Sequence, residues 1–340
     1  MSTFISKLPK VELHLHIEGT LEPEMVFALA KRNGITLNYP DETALRAAYQ
    51  FSDLLSFLRL YYQGMEVLLT EQDFFDMTLA YLERVHQEQV RHVEIAFDPQ
   101  PHRLRGVPMA DIIEGIARAL AQAKAQWGLS SRLIMAFLRD LSQESAFATL
   151  QEAKPFRHHL YGIGLDSAEV GNPPSKFAKV FAAAREQGYR LVAHAGEEGP
   201  PRYIEEALDL LQVERIDHGI AAIHDEALMA RLAKARTPLT ICPLSNLKLN
   251  VVDSMAEHPL LQLLHAGLCV TVNSDDPAYF GGYMNANFLA LQQDLGASKH
   301  DLLQLALNGV EASWLSNEEK QQLHQEIISY GEQHGVYLKT

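Results

Sequence analysis

Two histidines one residue apart, His14 and His16 in the run Val11-Glu12-Leu13-His14-Leu15-His16-Ile17-Glu18-Gly19, are the first sign of chemistry in this chain. On an extended strand, side chains at i and i+2 share a face, so both imidazoles point the same way. Such a pair suits a borderline metal such as zinc, which takes neutral nitrogen ligands. Alone it marks ordinary polarity more often than a metal site. Its weight comes from three later groups: His194-Ala195-Gly196-Glu197, Asp217-His218-Gly219 and Ser274-Asp275-Asp276-Pro277. Each closes an apolar, β-branched run. With His14 and His16, these groups offer the three imidazoles and one carboxylate that fill a zinc ion's protein valence while leaving room for water. Water on such an ion has its pKa lowered from about 16 to roughly 7, which supplies hydroxide at neutral pH.

The neighbouring groups read as proton carriers. Glu197 follows His194 by three residues in a glycine-containing turn, and in a closed, water-poor site it would act as a general acid with a raised pKa. Its neighbour Glu198 reads as a solvated carboxylate. His218 can hold the attacking water and take its proton, with a fifth metal ligand as the competing role. Asp276 faces away from Asp275 and is expected to contact substrate rather than metal. The histidines on helical patterns or loops, such as His86, His92, His102, His158, His159, His224, His258 and His265, read as structural.

Converging these groups requires a frame whose strand ends meet. Short β-branched runs alternate with longer helical patterns, and the runs predict strands at 11–16, 91–97, 132–138, 160–166, 189–194, 213–218, 237–242 and 269–275. Eight such strands with crossover helices predict an α/β fold, a single (β/α)8 TIM barrel domain over 1–340, whose C-terminal strand ends form one rim. A doubly wound sheet would want a Gly-rich turn after the first strand, and none is there. The first connection, about 20–90, is too long for one helix and is expected to be a helical insertion. Leu54, Phe57, Leu58 and Tyr61 recur at i, i+3, i+4 and i+7, the face of a helix that packs on its neighbours or lids the barrel mouth.

Bulk properties bound the partners. The 340 residues are 47% hydrophobic and 21% charged, enough for a large core. The net charge of −14 repels nucleic-acid phosphates and anionic lipid, leaving a small neutral ligand as the expected partner. Cys242 and Cys269 lie in separate apolar runs and read as reduced core thiols, and no signal or spanning segment is evident, so the cytoplasm is the expected location. Self-association is left open.

In order and together, the four motifs from residue 11 to about 285 resemble the signatures of the adenosine and adenine deaminase family of the amidohydrolase superfamily. The resemblance implies an amidohydrolase barrel with one zinc (ferrous iron being the alternative) on His14, His16, His194 and Asp275. It implies Glu197 as proton donor to purine N1, His218 as the group orienting the water, and Asp276 as the contact to N7. Binuclear relatives carry a bridging lysine on strand four; Tyr161 to Asp166 has none, which favours a single metal. Glu18, where adenosine deaminases have a shorter Asp that reaches ribose, the run Ser167 to Pro174 containing Glu169, and Tyr279-Phe280 all resemble the adenine branch. A longer carboxylate, a stiff Pro173-Pro174 loop and aromatic bulk would occupy the space of a ribose, with Glu18 and Glu169 expected against the substrate. The implied reaction is hydrolytic deamination of adenine to hypoxanthine and ammonia, a purine-salvage step. The alternatives are adenosine or an N6-substituted adenine as substrate, and a non-catalytic purine-binding protein.

Overall fold

The computed structural model describes residues 3–337. Eight parallel strands run in chain order around a barrel: β1 Lys10–Glu12, β2 Val90–Phe97, β3 Ser130–Leu138, β4 Leu160–Asp166, β5 Arg190–Ala195, β6 Arg215–His218, β7 Leu239–Ile241 and β8 Val270–Val272. Their near-continuous burial follows from helices covering the outer face while side chains fill the inside.

The expected strand runs 11–16 and 269–275 are cut short at the rim, and the cause is local. Past Glu12 the Leu13 N–H donates to the side-chain carbonyl of Asn273 at 2.8 Å, so an amide side chain takes the place of a ladder partner. Beyond it, Asp275 turns into the left-handed region at φ 64°. The barrel nevertheless closes here: His16 N–H donates to the Asp275 carbonyl at 3.0 Å, and Asp275 N–H to that of His14 at 3.2 Å. The segments bearing His14, His16 and Asp275 are therefore stitched together by backbone. Strand β6 starts two residues later than expected, and β7 stops at Ile241 because Pro243 opens a helix.

Between β1 and β2 the chain forms several helices. Glu71–Gln87 packs along Met109–Trp127 in the outer barrel layer, so only the part before it stands apart from the barrel repeat. Within that part, helix Leu54–Gly64 begins with a capping box in which Asp53 accepts from the Ser56 N–H. Its stripe Leu54, Phe57, Leu58 and Tyr61 is buried and faces the barrel mouth.

The inside of the barrel carries a buried ion pair. Glu94 accepts from Arg215, His92 and the Trp314 N–H, and the Arg215 guanidinium lies 4.0 Å over the Trp314 ring. Both cysteines are buried and free. Among the described residues, no helix is long and apolar enough to cross a membrane.

Candidate active site

The C-terminal rim gathers His14, His16, His194, His218 and Asp275, all buried. Asp275 Oδ1 lies 3.3 Å from His14 Nε2 and 3.4 Å from His16 Nε2, while its Oδ2 lies 3.9 Å from His218 Nε2. The His194 ring centre sits 4.7 Å from that of His14, 5.1 Å from His16 and 4.8 Å from His218. Two overlapping sets, His14 with His16 and Asp275 and His14 with His194 and His218, each place their ligand atoms within 4.8 Å of one another.

This residue set fits a metal ion. His14 Nδ1 donates to the Thr240 carbonyl, an acceptor only, so Nδ1 carries a proton and Nε2 is the nitrogen that faces the cluster. That Nε2 has no hydrogen-bond partner despite complete burial. Burial and neighbouring imidazoles push His194 well below the usual histidine range and His218 down to about 3, leaving both neutral. At His14 burial works against the proton, but the Asp275 and Asp217 carboxylates outweigh it and raise the imidazole to about 9. The carboxylates around His14 thus favour a positive charge at this place, which a metal ion would supply. Cys242, read from sequence as a core thiol, lies with Sγ 3.4 Å from His14 Nδ1.

Glu197 sits on the turn after β5 with Oε2 3.5 Å from His218 Nε2. Burial, then the charges of Asp275, Glu169 and Glu198, push its carboxyl well above the usual range, which favours the protonated form. Asp276 is likewise pushed well up by burial and by Asp275, and its Oδ1 is buried without a partner. Ser167, His218 and Asp275, all at strand ends of this rim, adopt positive φ of 72°, 62° and 64°. Each costs about 1–2 kcal/mol for a residue with a Cβ, strain of the kind that concentrates at functional sites.

These groups line one cavity at the C-terminal rim. Leu54, Phe57, Leu58 and Tyr61 roof it, together with Tyr62, Leu249 and Phe280. Tyr279 turns away instead and stacks on Tyr49 at 4.6 Å.

Two sequence expectations are corrected. Glu18 lies outside the cavity wall: fully buried, it accepts from the Asp98 N–H at 3.1 Å and from His102 Nε2 at 2.9 Å. Arg105 donates to His102 Nδ1 at 2.7 Å, which fixes the Nε2–H tautomer. Glu18 Oε1 thus braces Asp98, while Oε2 is buried without a partner. Glu169 also points away from the cavity, its carboxylate taken up by backbone N–H groups of the 196–199 turn. Two cavity carboxylates went unread in sequence, Asp98 and Asp166. Tyr61 donates to Asp98 Oδ2 at 3.1 Å, and Asp166 Oδ2 lies 3.4 Å from His16 Nδ1. Both follow apolar strand runs, Val93-Glu94-Ile95-Ala96-Phe97 and Gly162-Ile163-Gly164-Leu165, the same signal that marked the other rim groups.

An eight-stranded parallel barrel with a histidine-carboxylate cluster on its C-terminal rim defines an amidohydrolase-type TIM barrel. Residues 9–330 match the family model for adenosine deaminase, and the chain belongs to that family. It is 56% identical over 334 residues to an adenine deaminase of Hahella chejuensis, covering 98% of this chain and 100% of the relative. The crystal structure of an adenine deaminase from Arthrobacter aurescens superposes with a TM-score of 0.94 at 53% identity, over 96% of this chain and 99% of that one. A zinc-bound amidohydrolase from Burkholderia ambifaria superposes with a TM-score of 0.90 at 29% identity, over 98% and 94%.

Proposed function

We propose that this chain is a zinc-dependent adenine deaminase that converts adenine and water to hypoxanthine and ammonia, a purine-salvage reaction. His14, His16, His194 and Asp275 would hold one zinc ion, with ferrous iron as the alternative occupant. Bound there, the ion would polarise water and lower its pKa toward neutrality. The observation that carries the reading is the Glu197 carboxyl 3.5 Å from His218 Nε2 in the apolar-roofed cavity beside that cluster.

Each side chain then has a task. His218 accepts a proton from the attacking water while Glu197 gives its proton to N1, which removes the developing negative charge from the ring. The new C6–O bond forms as the ring nitrogen is protonated; the C6–N6 bond then breaks as the amino group takes the proton held by His218, the C6 hydroxyl proton passes to Glu197 to leave the carbonyl, and ammonia leaves. Asp276, protonated, donates to N7. The helix Leu54–Gly64 serves as the lid that keeps bulk water out. The names of the relatives at 56–58% identity support adenine over its nucleoside.

Glu197→Gln tests the role of the acid. This variant should keep its metal and still bind adenine, yet lose kcat on the order of 100-fold or more. A near wild-type kcat would move the proton donor elsewhere.

A further inference from the structure

The carboxylate of Glu169 is the acceptor for four consecutive backbone donors. Gly196 N–H reaches Oε1 at 2.6 Å, and the N–H groups of Glu197, Glu198 and Gly199 reach Oε2 at 3.0, 2.9 and 2.9 Å. Oε2 takes three of the four donors and Oε1 one, so the carboxylate is committed chiefly to this turn. The approach is close: a Cβ on Gly199 would lie 2.6 Å from Glu169 Oε1 and 2.8 Å from Cδ. The loop that carries Glu169 is itself tied to β5. Buried Arg139 donates to the His194 carbonyl at 2.6 Å and to the Asn172 carbonyl at 2.9 Å, and Lys176 donates to the Arg139 carbonyl at 2.8 Å.

We propose that Glu169 is a positioning residue for the proton-transfer step, its carboxylate organising the Gly196–Gly199 turn so that the Glu197 side chain is held at its reacting position. The proposal rests on the reading of Glu197 as the proton donor. Without the clamp, four N–H groups of a buried turn lose their acceptor and the turn rearranges to find others. Glu197 would then sample positions away from N1, and displacement by about 1 Å is enough to cost on the order of 100-fold in rate. The substrate, touching other residues, would still bind.

The test is Glu169→Gln in metal-loaded enzyme, with adenine as substrate. Glutamine keeps the length but replaces one acceptor oxygen by an NH2 that must face a donor. We expect kcat to fall at least 30-fold, KM to stay within threefold and the metal content to be unchanged. A raised KM at constant kcat would mean that Glu169 contacts substrate, and a lowered Tm with intact kcat would mean a purely structural role; either overturns the proposal. Should the variant fail to fold, hydrogen exchange of the wild-type turn decides. The amides of Gly196 to Gly199 should exchange far more slowly than those of exposed loops, and fast exchange would refute the clamp. Unchanged kcat in Glu197→Gln would instead refute the proton-donor reading, whatever the exchange shows.

Discussion

Replacing Gly19 by Ala adds one methyl group at the place where the site has no room for it. A Cβ there would lie 2.0 Å from Asp276 Oδ1, 2.6 Å from its Cγ and 2.7 Å from its Cα. The last contact is to backbone, so a rotamer change in Asp276 cannot relieve the clash. Either the Ile17–Thr20 turn or the Asp276 backbone has to move, and both are buried. The φ of Gly19 is not in the left-handed region, so conformational strain at residue 19 does not contribute. Overpacking of this kind costs about 1–3 kcal/mol of stability. Losing one hydrogen bond between Asp276 and the purine in a desolvated cavity costs about 1.5–3 kcal/mol of transition-state binding, or roughly 10- to 150-fold in kcat/KM. Steady-state kinetics on adenine, with a thermal melt to establish that the variant is folded, measures both. A folded Gly19→Ala enzyme with kcat/KM within threefold of wild type would show that Asp276 does not hold the substrate.

Two further outcomes are expected. Elemental analysis should find about one transition metal per chain, and Asp275→Ala should lose it together with activity and some thermal stability; two metals per chain, or none in active protein, would contradict the ligand set. Glu94→Gln should destabilise the fold by about 3–5 kcal/mol, because it leaves Arg215 buried and uncompensated. The same pair governs acid stability. Burial alone would raise the Glu94 carboxyl, but Arg215 and His92 hold it at about 2, below its ordinary 4.5. A depressed folded pKa gives stability that is fully present above pH 4.5 and lost as pH falls from 4.5 toward 2. Urea titrations of wild type across that window should show a loss that Glu94→Gln lacks, and parallel pH profiles would contradict the assignment.

Much of this architecture was legible because a (β/α)8 barrel turns strand ends into a single place. Once eight β-branched runs were counted, His14, His16, His194, His218 and Asp275 had only one rim on which to meet, and the structure brings them together there. The same logic extends to Asp98 and Asp166, which close strands two and four. They escaped notice because a lone aspartate after an apolar run carries no spacing pattern of its own. Glu18 and Glu169 show the opposite limit. Position in the chain placed both near the substrate, but the direction of a loop side chain depends on what surrounds it. Glu18 meets His102 and the Asp98 N–H, and Glu169 meets four N–H groups from another loop. Those partners lie 27 to 84 residues away in sequence, beyond the reach of any local pattern.

Specificity for the free base is the central claim and can be measured directly. Purified, metal-replete protein incubated separately with adenine, adenosine and N6-methyladenine should convert adenine to hypoxanthine, followed by ultraviolet absorbance. The value of kcat/KM for adenine should exceed that for adenosine by several orders of magnitude, in line with the similarity to adenine deaminases over nearly the full chain. Adenosine turned over as fast as adenine would contradict the account.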